Sequence, residues 1–260
     1  MQERCFRPSW DVVVPGTLTD AVVQLSPFWM PLQAQAKQHA TRSTLLFFSG
    51  ALCWKTSTIA RTPRELQRKC ERSFNEPGFL SRYSFGLRYE IFSRFRDTPG
   101  FVIHASDYPP SLPPRRRRKS LDDEILSAKF CLCPSGTGWG MRVYHVLVLG
   151  CIPVLTQHDG EHPPVAQAFE PELLDWSSFA VVVRRDEVAR LPQILAATDV
   201  EAKRDGLRKV WHRIVWRGSL QEPRRSLLPA PDAFDSTMAA LRVRLERIEQ
   251  KHQAAGRPAP

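Results

Sequence analysis

The stretch 129–155, KFCLCPSGTGWGMRVYHVLVLGCIPVL, constrains the fold of this 260-residue chain more than any other. Residues 129–133 read as a strand, 134–140 as a glycine-rich loop, 141–149 as a helix and 151–155 as the next strand. Strand, loop, helix and strand in so short a span make a βαβ unit, which forces two parallel strands with a helix packed outside them. The expected fold class is therefore α/β: a Rossmann-like parallel sheet with flanking helices. Pro153 falls inside the second strand, where its missing N–H calls for an edge position or a bulge.

Other segments extend the pattern. Strands are expected at 11–14 (DVVV, before Pro15 and Gly16), 44–48, 101–104 and 178–183. Thr62 and Glu65 form a capping box with Pro63 at the first helical position. Helices follow at about 31–41, 86–96, 120–127 and 186–197. Two more close the chain: 200–218, with a stripe of Leu207, Trp211, Ile214 and Val215, and 232–252, with Phe234, Met238, Leu241, Leu245 and Ile248. Each stripe marks the packing side of its helix, and the terminal helix is available to dock elsewhere. The organisation read from this is an irregular segment with a first strand (1–40), a Rossmann-like domain (41–230), and a C-terminal helix and tail (231–260).

Composition narrows the function. Thirty-seven basic against 27 acidic residues give +10, and because eight of the 37 are Lys, 29 are Arg. Arginine grips phosphate or carboxylate with a bidentate fork, so an anionic ligand is expected. Twenty-two Pro exclude one long helical bundle. No apolar run reaches 18 residues, so no spanning helix is expected, and the start, MQERCFRPSWD, lacks the apolar stretch of a secretory signal. The chain reads as soluble. Arg115–Arg118, in SDYPPSLPPRRRRK, reads as an exposed loop with no aromatic interleaving, and no nucleic-acid partner is expected. Six Cys are too few and too spread for a disulfide scaffold, and no CxxC pair accompanies Cys131 and Cys133, so no metal is expected there. Both read as buried small hydrophobes; a Cys53–Cys70 bridge is left open.

In an open parallel sheet, ligands sit at the carboxyl ends of the strands, where 134–140 falls. Gly136, Gly138 and Gly140 let backbone approach a ligand closely. Arg142, in the first turn of the following helix, opposes the helix dipole unless an anion lies between them. That mismatch marks Arg142 as a phosphate clamp. The spacing is G-x-G-x-G, neither the dinucleotide fingerprint nor a Walker loop. His158 and Asp159 follow the next strand, and Glu170 and Glu172 could cap a helix or accept from sugar hydroxyls. Trp139 and Tyr144 could stack on a base or pack in the core. No D-x-D and no G-x-S-x-G occurs.

The block 129–155, flanked by DVVVPG (11–16), RSTLLFFSGA (42–51), SRYSFGLRYEIF (81–92) with PGFVI (99–103), and AFEPELLDWSSFAVVV (168–183), resembles the exostosin-like glycosyltransferases in order and spacing over about 10–218. The resemblance implies the donor-binding half of a GT-B glycosyltransferase, moving a sugar from a nucleotide sugar, a UDP-sugar, to a polysaccharide or glycoprotein glycan. It implies Arg142 on the donor diphosphate as the catalytic group, and a pocket lined by Ser135, Gly136, Thr137, Gly138, Trp139 and Gly140. Glu170 or Glu172 would hold the ribose; Pro171 makes this stretch appear one residue longer than usual. No metal cofactor is implied. A glycan acceptor, a separate N-terminal acceptor domain and a Golgi membrane location are. The alternative is a non-catalytic nucleotide- or glycan-binding module that keeps the fold.

Overall fold

The computed structural model describes residues 7, 10–53, 59–75, 79–114, 119–136, 140–156 and 165–254. Arg115–Arg118, Thr137, Gly138, Trp139, His158 and Asp159 lie outside the described residues. Five strands form one all-parallel sheet: β1 (Thr44–Gly50), β2 (Phe101–Ala105), β3 (Ala128–Pro134), β4 (Ile152–Thr156) and β5 (Val181–Val182), in the order β2-β1-β3-β4-β5. The longer helices are α1 (Leu32–Ala40), α2 (Pro63–Asn75), α3 (Leu87–Phe95), α4 (Leu121–Leu126), α5 (Arg142–Val148), α6 (Leu191–Ala197), α7 (Val200–Val210) and α8 (Ala233–Ala254). This is the α/β, Rossmann-like fold expected from the βαβ block.

Strands covered on both faces by helices read as continuous apolar runs rather than as alternation. Leu46, Phe47 and Phe48 of β1, Phe130 and Leu132 of β3, and Ile152 and Val154 of β4 are all buried accordingly. Pro153 sits in register with Cys131, and Leu155 accepts from the Val183 N–H at 2.9 Å. Alternate residues of a parallel strand face the same neighbour, so the N–H that Pro153 lacks points toward β5. The β5 ladder starts one residue later, at Val154, so no bond is lost.

Several expectations need correction. Residues 11–14 join no strand; their tie to the body is a bond from the Phe169 N–H to the Val13 carbonyl, 3.0 Å. The strand expected over 178–183 shortens to Val181–Val182. Cys131 is not a lone buried thiol but bridges to Cys151, joining β3 to the residue before β4, and Cys53 bridges to Cys70. Cys133 keeps its thiol, which burial pushes up to about 12.

The last helix turns its apolar stripe outward. It docks through Ala233, Ser236, Ala240 and Arg244, all buried, while Phe234, Met238, Leu241 and Leu245 are 60, 52, 45 and 51% exposed. The face that packs is the small one. Its orientation is fixed by the Arg244 guanidinium, whose Nε lies 2.9 Å from Glu172 Oε1. At its start Asp232 accepts from the Asp235 N–H at 3.0 Å and Asp235 accepts from the Asp232 N–H at 3.0 Å. The stripe of 200–218 behaves as expected: Leu207, Trp211, Ile214 and Val215 are buried.

One buried cation holds the frame. Arg42, just before β1, donates through Nη1 to the carbonyls of Ile125 (3.0 Å) and Ala128 (2.7 Å) and through Nη2 to Leu149 (2.7 Å). Ile125 lies in the last turn of α4 and Leu149 caps α5. Helix C-termini carry orphaned carbonyls and partial negative charge, so one guanidinium satisfies both ends. Its Nε donates to His39 Nδ1 at 3.1 Å. Burial pushes Arg42 down to about 9, and burial with the Arg42 charge pushes His39 down to about 3. Gly150 (φ +69) completes the staple: a Cβ there would lie 2.9 Å from Pro27 and 3.2 Å from Arg42 Nη2.

Candidate active site

The strand order turns around between β1 and β3, and in open parallel sheets it is the crevice beyond the carboxyl ends of the strands at such a switch point that takes the ligand. Gly50 ends β1, and Ser135 and Gly136 follow β3. Two guanidinium groups converge on the crevice. A Cβ on Gly50 would lie 2.9 Å from Arg142 Nη2 and 3.8 Å from Arg88 Nη1. One on Gly136 would lie 3.6 Å from Arg88 Nη2. Glycine at position 50 is thus what lets the Arg142 fork lie against the end of β1.

Each arginine rests on an aromatic face. Arg142 Cζ is 4.9 Å from the Phe48 ring centroid, and Arg88 Cζ is 4.7 Å from Tyr83 and 5.7 Å from Phe48. A guanidinium over a ring gains cation–π attraction without spending an N–H. Arg88 Nη1 also donates to the Ala51 carbonyl (3.0 Å) and to the Tyr83 hydroxyl (2.5 Å). Burial lowers the pKa of both arginines. Among the described residues no carboxylate pairs with either one, and Arg142 has no hydrogen bond from its guanidinium. Arg88 Nε, the Ser135 hydroxyl and the Thr156 hydroxyl at the end of β4 are buried without partners.

Local backbone explains how Arg88 gets there. Ser84 (φ 47), Phe85 (φ 52) and Gly86 (φ 73) are successive left-handed residues, turning the chain sharply into α3. Such conformations cost about 1–3 kcal/mol at each non-glycine residue and persist only where surroundings enforce them. Three contacts enforce this one. The Ser84 N–H donates to the Gly136 carbonyl (2.7 Å), the Ser84 hydroxyl accepts from the Arg88 N–H (3.2 Å), and Arg185 donates to the Phe85 carbonyl (2.5 Å). The loop after β1 is braced separately: Asp107 accepts from the N–H groups of Leu52 (3.0 Å) and Cys53 (3.1 Å).

The residues singled out from sequence are partly gathered here. Ser135, Gly136 and Arg142 line the crevice, and a Cβ on Gly140 would meet nothing within 4 Å. Tyr144 is buried against Trp176. The two glutamates separate. Glu172 is buried under α8, forming an ion pair with Arg244 Nε at 2.9 Å and accepting from Arg247 Nη1 at 2.9 Å. Glu170 is half-buried and accepts only a local bond, from the Gln167 N–H at 3.2 Å, after the left-handed Phe169 (φ 60). Residues 168–173 form turns, not the helix start expected there.

Sequence reasoning passes over Arg88, Tyr83, Phe48, Gly50 and Thr156. The signal for Arg88 was present: it is the second residue of a helix, the same unfavourable place for a cation that marks Arg142. Phe48 and Thr156 carry no such mark, since a strand residue that floors a site reads like any core residue. Among the described residues no group of three or more His, Cys, Asp or Glu is arranged to hold a metal ion.

Residues 2–198 match the family model described as the Exostosin GT47 domain. A rice (Oryza sativa subsp. japonica) protein described as "Probable glucuronosyltransferase GUT1" is 30% identical over 171 residues, 63% of this chain and 35% of the rice protein. An Arabidopsis thaliana protein described as "Probable beta-1,4-xylosyltransferase IRX10" is 28% identical over 182 residues, 68% of this chain and 39% of the relative. The chain thus spans between a third and two fifths of the length of these relatives.

Proposed function

Since the chain belongs to the exostosin GT47 family, we propose that the crevice between β1 and β3 receives the diphosphate of a nucleotide-sugar donor, a UDP-sugar, and that the chain is the donor-binding half of a GT-B glycosyltransferase. One observation carries this reading: two desolvated guanidinium groups lie side by side with no carboxylate in contact with either among the described residues, and Asp107 acts on Arg88 only from a distance. Like charges confined together in a low-dielectric site repel strongly, and a dianion between them relieves that repulsion.

In sugar transfer, an acceptor hydroxyl oxygen bonds to the anomeric carbon as the bond from that carbon to the diphosphate oxygen breaks. The electron pair leaves with the nucleoside diphosphate, so negative charge grows on the phosphate while the acceptor gives up its proton. Arg142 and Arg88 stand where that charge develops, held by Phe48 and Tyr83 and needing little reorganisation. Preorganised donors aimed at developing charge are commonly the largest single contribution to catalysis. The Ser135 hydroxyl and Gly136 belong to the same donor site; Thr137, Gly138 and Trp139, which the resemblance adds to it, lie outside the described residues. Glu170 takes the ribose hydroxyls, because the Glu172 carboxylate is committed to α8. The acceptor is a polysaccharide or glycoprotein glycan, and the general base and acceptor site belong to a partner domain.

The Cys53–Cys70 and Cys131–Cys151 bridges support residence in an oxidising compartment, in keeping with a Golgi lumen. Among the described residues no helix is long and apolar enough to cross a membrane. Calorimetry with UDP tests the donor reading. Arg142→Ala is expected to weaken binding about 10- to 100-fold, the range of a lost charge-assisted hydrogen bond in a desolvated site. Equal affinity in both proteins overturns it.

A further inference from the structure

We propose that Lys69 is a positioning residue for the donor site, which it serves without touching. It holds the charge of Asp107, so that Asp107 aims the Ala51 carbonyl at Arg88 without neutralising Arg88. This rests on the donor reading above and says what sets the strength of that site.

Asp107 follows β2 and is buried. Its Oδ1 accepts from the Leu52 N–H at 3.0 Å and its Oδ2 from the Cys53 N–H at 3.1 Å. The Leu52 N–H and the Ala51 carbonyl belong to one peptide plane, and in a trans peptide they point in opposite directions. That carbonyl accepts from Arg88 Nη1 at 3.0 Å. A carboxylate on one side of the plane and a guanidinium on the other polarise it in the same sense, so each hydrogen bond strengthens the other. Asp107 thus fixes the peptide that fixes Arg88.

The same carboxylate also threatens the site. Burial pushes the Arg88 pKa down, and the Asp107 charge opposes that push from a distance. An unpaired carboxylate there cancels part of the field that draws a dianion. Lys69, in α2, prevents this: its Nζ lies 3.7 Å from Asp107 Oδ2, and both side chains are 9% exposed. Ammonium and carboxylate together act as a dipole, whose field falls off faster than that of either charge alone. Among the described residues Lys69 pairs with no other carboxylate. The helix does not need Lys69 to stay in place, because the next residue, Cys70, is bridged to Cys53, and Leu66 is buried on the same helix.

Calorimetry with UDP on the whole chain, disulfides intact, tests the assignment. Lys69→Gln, whose amide can still donate to Asp107 but carries no charge, should weaken binding about three- to tenfold. That is the reach of one charge acting from a distance in a partly desolvated site. Lys69→Arg, which keeps the charge, should bind within about twofold of wild type. Lys69→Gln/Asp107→Asn should return to within about twofold as well, because both charges are gone while the Asn oxygen still accepts from the Leu52 N–H. A merely structural pair would leave the double variant as weak as Lys69→Gln or weaker. That result, or undiminished binding by Lys69→Gln, overturns the proposal. Arg142→Ala run alongside separates the two readings. UDP held equally by wild type and Arg142→Ala sinks the donor site and this proposal with it, whereas binding lost in Arg142→Ala but kept in Lys69→Gln sinks this proposal alone.

Discussion

Arg42 and the Arg88–Arg142 pair are buried cations that form no ion pair with a carboxylate among the described residues, yet their surroundings differ in kind. Arg42 places its N–H groups on three main-chain carbonyls and one imidazole nitrogen, at 2.7–3.1 Å. Among the described residues, Arg142 has only the Phe48 ring beneath it and Arg88 Nε is buried without a hydrogen-bond partner, though Arg88 Nη1 donates to Ala51 and Tyr83. The cost of burying charge is met inside the chain in the first case and left open in the second. A filled guanidinium is a staple. One without such partners among the described residues is where the donor diphosphate is proposed to bind.

The largest effect should come from breaking the staple. Arg42→Met leaves the carbonyls of Ile125, Ala128 and Leu149 buried without their donor, at about 1–3 kcal/mol each where no water replaces it. A loss of about 3–5 kcal/mol is expected, read from urea unfolding as a lower midpoint at unchanged slope. The same change at Arg142 should leave stability equal or higher, because it removes a buried charge that nothing compensates. If the two substitutions destabilise equally, the distinction between them fails.

A smaller effect sharpens the other side. Arg88→Met should weaken UDP binding about tenfold or more, and the Arg88→Met/Arg142→Met double variant should lose less than the product of the two single losses. Two cations gripping one dianion are coupled, because removing either also removes its repulsion of the other. A strictly multiplicative double variant in calorimetry would place the two guanidinium groups on separate ligand groups.

How much of this was legible in the sequence depends on range. The βαβ block, the helix capped by Ser120 and the helix starting at Pro63 are set by neighbours within a few residues, and they appear where local chemistry puts them. Arg142 was legible because a cation in the first turn contradicts its own helix. Arg88 obeys the same rule but was obscured by the left-handed Ser84 and Phe85, which only contacts to Gly136 and Arg185 make tolerable. The roles of Glu170 and Glu172 were not legible, since they are divided by Arg244, more than 70 positions away. What covers the apolar side of α8 is not legible either, for a physical reason: periodicity shows which side is apolar, not whether this chain or another covers it.

The smallest effect concerns the imidazole that completes the staple. His39 accepts the Arg42 Nε–H on Nδ1, so the folded ring is neutral, and its pKa falls from an ordinary 6.5 to about 3. Above pH 6.5 neither the folded nor the unfolded chain protonates it, and it contributes no pH dependence. Between pH 6.5 and 3 the unfolded chain binds a proton that the folded chain refuses, so stability falls as pH falls. The slope approaches about 1.4 kcal/mol per pH unit, which amounts to about 2 kcal/mol between pH 6.5 and 5. His39→Gln, whose amide oxygen can accept from Arg42 but does not titrate, should flatten most of that slope in urea titrations at pH 5, 6 and 7. His212, also held below its ordinary value by burial, supplies the remainder. An equal slope in wild type and His39→Gln would show that the proton is taken up elsewhere, and that the staple stays closed down to pH 5 without requiring a neutral ring.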